Sequence, residues 1–223
     1  MYPRKERPMQ AEDFNKLIPE IHGYAKEAGW WDDFPNKQCD YCLSSDSYTA
    51  CYCHEQADAQ QEFLNDKIDL IAGEGAEAVE ALRCGRRKAD RDEYEAECRR
   101  SPLESPGFFE WHIKDTFPDE IADIAIRTMD LMGFYGWHYI TGVEPLPGLG
   151  KREVDTKKCL RAIRYHALHA SVWNNVTGTN TLNGILDICQ RIADLEGFSL
   201  EWHILTKLAF NKTRGKKHGG KKF

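Results

Sequence analysis

The chain has 223 residues, 30% of them charged, and a formal net charge of −6. This length allows one large domain or two small ones with a proper core, and the acidic balance gives no general attraction to nucleic acid. The sequence contains no run of about 18 apolar residues that could span a membrane. Its first ten residues lack the apolar segment of a signal peptide. We therefore expect a soluble, cytoplasmic protein with no membrane partner.

Helical periodicity dominates the sequence. The predicted helices span residues 14–29, 62–83, 117–133, 156–174, 182–197 and 200–214. Residues 86–107 carry alternating charges and then prolines, a composition typical of an exposed insertion or of a solvated helix followed by a loop. Residues 143–153 have the composition of a linker. Almost no stretch alternates apolar and polar residues with a period of two, so the sequence predicts an all-α protein.

One segment of the sequence is repeated. Residues 121–134 align without gaps on residues 185–198, and eight of the fourteen positions are identical. Only about one identity would be expected by chance from ordinary residue frequencies. Two copies of a helical hairpin that pack against each other would form a four-helix bundle with pseudo-twofold symmetry. We therefore expect a four-helix-bundle core built from two pseudo-symmetric hairpins.

Two of the predicted helices each carry a pair of acids three positions apart. The pairs are Glu74 with Glu77 and Glu120 with Asp123, and this spacing puts both members of a pair on one helix face. Four carboxylates that converge between two helices need cations, and oxygen ligands in this number suit Mg²⁺ or Mn²⁺. Such a cluster is typical of phosphate-processing sites. The simpler interpretation places each pair on the solvated side of its helix.

The two copies of the repeat differ at the acids. Gly184 stands in the second copy at the position that Glu120 has in the first. We therefore expect one compact domain with two unequal halves. Residues 1–140 would form the half with the intact carboxylate cluster, and residues 155–223 a degenerate half with a basic tail.

A cysteine-rich insertion at residues 36–60 separates the first predicted helix from the second. Its candidate metal ligands are Cys39, Cys42, Cys51, Cys53 and His54. A C-x2-C pair followed within about ten residues by C-x-C-H fits a compact structural Zn²⁺ site with four cysteine ligands, for which His54 is an alternate ligand. The other interpretation is a loop that carries reduced thiols.

The acid pairs, ExxE on one helix and ExxD on the next, resemble the MazG-type NTP pyrophosphohydrolases, relatives of the dimeric dUTPases. IHGYAKEAGWWDDF at 21–34 is similar to the segment that contacts the base through aromatic and histidine side chains in those enzymes. KLAFNKTRGKKHGGK at 207–221 resembles the K-x3-N-x2-R ending of phage and bacterial members. The resemblance covers most of the chain outside 36–60, 86–110 and 141–155.

The sequence departs from the family pattern in two respects. Gly73 precedes Glu74 where many relatives have a further acid. The degenerate second half also separates the acid-bearing helices from the K-x3-N-x2-R ending. A fused pseudo-dimer would explain this arrangement, because one chain would then supply what two chains supply in the relatives.

The resemblance implies an enzyme of nucleotide-pool control that cleaves a nucleoside triphosphate between the α and β phosphates. The four acids would be the catalytic residues and would bind Mg²⁺ or Mn²⁺, and Glu77 is one candidate for the group that accepts the proton of the attacking water. Candidate phosphate-binding residues are Lys67, Lys114, Arg127, Lys207, Asn211 and Arg214. The residues implied to stack on the base are His22, Trp31 and Phe34, for which ordinary core packing is the other interpretation.

Two other classes of function fit parts of the sequence. A nucleic-acid-binding protein would use the zinc loop and the basic tail, and a helical scaffold protein would carry the acids as surface residues. Both leave the acid pairs without a role. Within the enzyme interpretation, no motif records the preferred base or sugar, and the pseudo-dimer could remain alone or pair again as a homodimer. The fused halves look most like phage-encoded members, which would act in the cytoplasm of a bacterium or an infected host.

Overall fold

In the computed structural model, the described residues are 7–35, 54–141, 155–169 and 175–217. Within these ranges the chain forms eight α-helices and no strand, which confirms the all-α class. The helices are α1 (Ala11–Glu27), α2 (His54–Arg83), α3 (Arg91–Arg100), α4 (Ser105–His112), α5 (Phe117–Tyr135), α6 (Thr156–His169), α7 (Asn175–Glu196) and α8 (Leu200–Lys212). No helix in these ranges is both long and apolar enough to cross a membrane.

Helix α5 is the central element of the fold. It packs against α1, α2, α7 and α8, while α6 packs against both α2 and α7. Pro118 lies in the first turn of α5, where its missing N–H costs no hydrogen bond. One hydrophobic core extends from Met9 to Leu208. Both copies of the sequence repeat, in α5 and α7, therefore contribute to the same core.

The repeated glycine has a different role in each copy of the repeat. Gly197 follows α7 with φ of +76°, a left-handed conformation that glycine adopts at little cost and that ends the helix. Its counterpart Gly133 lies inside α5, which continues to Tyr135 and ends at Gly136 with φ of +65°. At Gly133, α1 crosses α5 so closely that a Cβ atom there would lie 2.4 Å from the Cβ of His22.

We expect Gly133→Ala to lower the free energy of unfolding by about 1–3 kcal/mol, because the added methyl group forces α1 away from α5. The Ile18 carbonyl oxygen, 3.2 Å from the position of that Cβ, cannot move without the α1 backbone. Urea denaturation followed by circular dichroism measures the change. Gly23→Ala in α1 is the matched control, since nothing lies within 4 Å of its added Cβ. The control should be neutral or stabilising by up to about 1 kcal/mol, and equal stability of the two variants would contradict the close crossing.

The region of alternating charges forms a peripheral layer. Helix α3 has no buried residue, in agreement with the predicted solvated helix. Helix α4 was not predicted, and it adds a small second core in which Phe109 and Ile113 pack with Phe210 of α8. The rings of Phe109 and Phe210 stack with their centroids 4.2 Å apart. Through this contact, α4 closes the side of the molecule next to α8.

Candidate functional site

A cavity of about 640 Å³ lies between α1, α2, α5 and α8. Ten of the residues predicted from the sequence line it, and they divide into carboxylates and cationic or amide side chains. The carboxylates are Glu74, Glu77, Glu120 and Asp123. The others are Lys67, Lys114, Arg127, Lys207, Asn211 and Arg214. The acid pairs therefore share one cavity, although they belong to two helices.

Three of the carboxylates form a tight group. Glu74 and Glu77 of α2 and Glu120 of α5 each place an oxygen within 4.8 Å of the other two. Glu74 and Glu120 are buried, whereas Glu77 is exposed toward the cavity. Neither Glu77 nor Glu120 forms a side-chain hydrogen bond or ion pair within the described ranges. Three such carboxylates could hold a metal ion, and carboxylate oxygens are ligands that Mg²⁺ prefers.

The fourth predicted acid, Asp123, pairs with a lysine. The Nζ atom of Lys207 lies 2.7 Å from Asp123 Oδ2 and 2.8 Å from Asp119 Oδ2. Asp119 was not among the predicted site residues, and its side chain is only 1% exposed. The sequence did contain one signal for it, because Asp119 and Asp123 are four positions apart and therefore lie on one face of α5.

Arg127 contacts a carboxylate of the group and lies one turn beyond Asp123 on α5. Its Nε atom donates a hydrogen bond of 2.6 Å to Glu74 Oε1. A charge-assisted bond of this kind holds the carboxylate in one orientation. In this structure Arg127 therefore fixes Glu74, and the predicted contact of Arg127 with phosphate would come in addition to that bond.

Burial and neighbouring negative charges raise the pKa values of two of the three carboxylates. Burial raises the pKa of Glu120 to about 9, and the nearby charges of Asp123 and Asp119 contribute to the rise. Burial also raises the pKa of Glu74 to about 6, against the opposing effect of Arg127. Without a cation, Glu120 therefore keeps its proton at neutral pH. A divalent cation that binds to this group has to displace that proton.

The raised pKa of Glu120 predicts a stability that falls with rising pH in the presence of a chelator. The folded protein holds this proton more tightly than the unfolded chain, whose glutamate has a pKa near 4.5. The stabilisation is therefore complete below pH 4.5 and is lost as the pH rises toward 9. Between pH 6.5 and 8, the expected loss from Glu120 is about 2 kcal/mol. Burial also raises the pKa of Asp119 to about 7, so this carboxyl adds a smaller loss in the same direction. Lys67, with its pKa of about 8, still keeps at least half of its charge in this interval.

Thermal unfolding in EDTA at several pH values measures this dependence. The melting temperature of the wild-type protein should fall between pH 6.5 and 8. That of Glu120→Gln should fall less, because glutamine does not titrate and only the smaller contribution of Asp119 remains. Mg²⁺ should restore more stability at pH 8 than at pH 6.5. A wild-type melting temperature that stays constant or rises in EDTA over this interval would contradict the raised pKa of Glu120.

The aromatic residues predicted to contact a base lie behind the cavity wall. His22, Trp31 and Phe34 are not among the described residues that line the cavity. Instead, His22 Nδ1 lies 2.8 Å from Asp130 Oδ1, and Trp31 Nε1 donates a hydrogen bond of 2.9 Å to the same oxygen. Trp31 also stacks on Phe134 with ring centroids 4.6 Å apart. His22 and Trp31 thus hold Asp130 in place, and Asp130 does line the cavity. Contact of the three aromatic residues with a base stays a prediction.

The remaining cationic and amide residues occupy different parts of the cavity wall. Lys67 donates a hydrogen bond of 2.8 Å to the Trp30 carbonyl oxygen, and burial lowers its pKa to about 8. Lys114 is exposed, and Arg214 lies just past the end of α8, with its guanidinium carbon 5.5 Å from the centroid of the Phe210 ring. The Oδ1 atom of Asn211 is buried and has no hydrogen-bond partner within the described ranges.

The predicted zinc site cannot be placed in this structure. Cys39, Cys42, Cys51 and Cys53 lie outside the described residues, and His54 is described only as the first residue of α2. Zinc binding therefore stays a prediction, and elemental analysis of the purified protein for zinc tests it.

Comparison with protein-family models, curated proteins and solved structures finds no match to this chain. The likeness to the MazG-type enzymes consequently rests on the sequence motifs alone.

Proposed function

We propose that this protein is a Mg²⁺-dependent nucleoside triphosphate pyrophosphohydrolase, which releases pyrophosphate and a nucleoside monophosphate. The observation that supports this most strongly is the mixed charge of one cavity. Three carboxylates within 4.8 Å of one another share its wall with the cations Lys67, Lys114 and Arg214. A triphosphate needs both kinds of group, because a divalent ion screens the reacting phosphates while fixed cations bind the outer ones.

Different side chains have different roles in the proposed reaction. Glu74, Glu77 and Glu120 would hold Mg²⁺, which when bound lowers the pKa of a water molecule and neutralises charge on the phosphates. Glu77 is exposed to the cavity, so its carboxylate can accept the proton of the attacking water. Arg127 keeps Glu74 in place through its 2.6 Å hydrogen bond. Lys67, Lys114 and Arg214 would bind the β and γ phosphates.

Aromatic residues in the cavity wall offer contacts for the base. Tyr24 and Trp30 line the cavity, and aromatic rings stack readily on nucleobases. Asp130 also lines the cavity and is held in place by His22 and Trp31. In this proposal the aromatic residues predicted from the sequence act on the base mainly by shaping and fixing this wall.

We also propose that α2, α5, α6 and α7 form a four-helix bundle made of two related hairpins. The contacts support it, since α2 and α7 each pack against both α5 and α6. Asp187, the counterpart of Asp123 in the repeat, accepts a hydrogen bond from the Tyr139 hydroxyl. Gly184 is buried at the position that corresponds to Glu120. The second hairpin would thus serve as a support, and the first would carry the catalytic acids.

A product analysis with the eight common NTPs and dNTPs tests the proposal. At least one of them should give pyrophosphate and the monophosphate in the presence of Mg²⁺, and EDTA should abolish the reaction. The panel also identifies the preferred base and sugar. The absence of turnover with all eight, or the release of inorganic phosphate and a diphosphate, would overturn the proposal.

A further inference from the structure

The ammonium group of Lys207 is largely buried, and it lies near the three carboxylates of the site. Two aspartate oxygens, on Asp119 and Asp123, are within 2.8 Å of its nitrogen. The centroid of the Phe109 ring is 5.6 Å from Nζ, within the range of a cation–π interaction. The lysine is only 7% exposed. Its nitrogen thus has the surroundings of a bound cation, with carboxylate oxygens in direct contact and little access to water.

The charges of the cluster favour a single additional ion. Its five carboxylates are Glu74, Glu77, Glu120, Asp119 and Asp123. Among the described residues, the cations that contact them are Arg127 and Lys207. This leaves three negative charges when all five acids are ionised, as they are once bound metal has displaced their protons. One divalent ion nearly neutralises this excess. A second would make a largely buried site positive before any triphosphate arrives, and that is costly.

Two buried oxygens near Lys207 have no hydrogen-bond partner among the described residues. They are Oδ1 of Asp119, whose other carboxylate oxygen contacts Lys207, and Oδ1 of Asn211, one turn after Lys207 on α8. Buried oxygens of this kind normally have a partner. Glu120 likewise has no side-chain partner in the described part of the chain, but it lines the cavity and belongs to the group of three carboxylates.

We propose that Lys207 is a built-in cation that takes the place of a second divalent ion, so that the nucleotide-free protein binds one divalent ion per chain. This inference rests on the proposed function, because it concerns the metal content of the same cluster. Without the ammonium group, the site would have four negative charges in excess, which two divalent ions balance. Asp119, Asp123 and Asn211 would then supply oxygen ligands for the second ion.

Counting bound Mn²⁺ without nucleotide tests this inference. Electron paramagnetic resonance of free Mn²⁺, with calorimetric titration of Mg²⁺ alongside, should give one ion per wild-type chain and two for Lys207→Met. Lys212→Met, which removes an exposed lysine of the same helix, should still give one. Two ions in the wild type, or one in a folded Lys207→Met, would overturn the inference.

If Lys207→Met does not fold, as judged by circular dichroism, Lys207→Gln replaces it, because its neutral amide can still donate a hydrogen bond to Asp119, and it should likewise bind two ions. A wild-type count of two overturns the inference whether or not either variant folds. Two wild-type ions together with pyrophosphate release would overturn the role of Lys207 alone. No bound ion and no release would overturn this role and the proposed function together.

Discussion

Glu77→Gln is expected to lower Mg²⁺-dependent pyrophosphate release by about 10²–10⁴-fold, the usual effect of losing a positioned general base. The substitution keeps the size of the side chain but removes its charge and its ability to accept a proton from water. Glu77 is exposed to the cavity, so the fold should not depend on it. Steady-state rates with the best nucleotide measure the loss, and circular dichroism should show unchanged helical content.

Glu80→Gln is the matched control for this experiment. Glu80 is an exposed acid one turn further along α2, where it pairs with Arg83 at 3.1 Å and does not line the cavity. Its replacement should leave the rate within about twofold of the wild type, since exposed ion pairs contribute little. If Glu77→Gln turned over as fast as this control, Glu77 would be neither a metal ligand nor the base.

Lys207→Met is expected to lower the free energy of unfolding by about 3–5 kcal/mol in the presence of a chelator. The substitution leaves Asp119, which is only 1% exposed, as a buried carboxylate without its cation, and breaking a buried pair in this way is strongly destabilising. Burial already raises the pKa of Asp119, and Lys207 opposes that rise. Urea denaturation in EDTA measures the effect, and saturating Mn²⁺ should restore part of the stability.

A surface ion pair provides the comparison for this measurement. Arg83 lies 3.1 Å from Glu80, and the two side chains are 76% and 50% exposed. Arg83→Met should therefore cost less than about 1 kcal/mol. A loss at Lys207 no larger than the loss at Arg83 would mean that water reaches the Lys207 pair, and that Lys207 does not act as a buried cation.

The helical periodicity predicted most of the fold, but it did not predict every boundary or element. The stripe of apolar residues located α5 and α8 almost to the residue, because their buried faces are long and regular. Helix α2 begins at His54 rather than at residue 62, in a polar segment with little periodic signal. Helix α4 has only eight residues, with Pro106 and Gly107 in its first turns. Its helical form depends on packing against α8, and local sequence does not record such a contact.

The sequence likewise predicted which acids line the cavity, but it did not predict the ion pairs that they form. Acid pairs at a spacing of three identified Glu74, Glu77, Glu120 and Asp123, all of which line one cavity. The sequence could not show that Lys207 would bind two aspartates, because Asp119 and Lys207 are 88 positions apart. Their contact exists only once α5 and α8 pack together. Pairings between distant elements depend on tertiary structure, and a helical period carries no information about them.

The order in which the ribosome makes the chain has a consequence for the enclosed ammonium group. All five acids of the cluster precede residue 124, whereas Lys207 belongs to the last described helix. During synthesis, the nascent acids must therefore stay hydrated or protonated, or bind ions from solution, until α8 emerges from the exit tunnel. Completion of the core around α5 is thus coupled to the arrival of its final cation, and a chain that stops before α8 should be a ready substrate for cellular proteases.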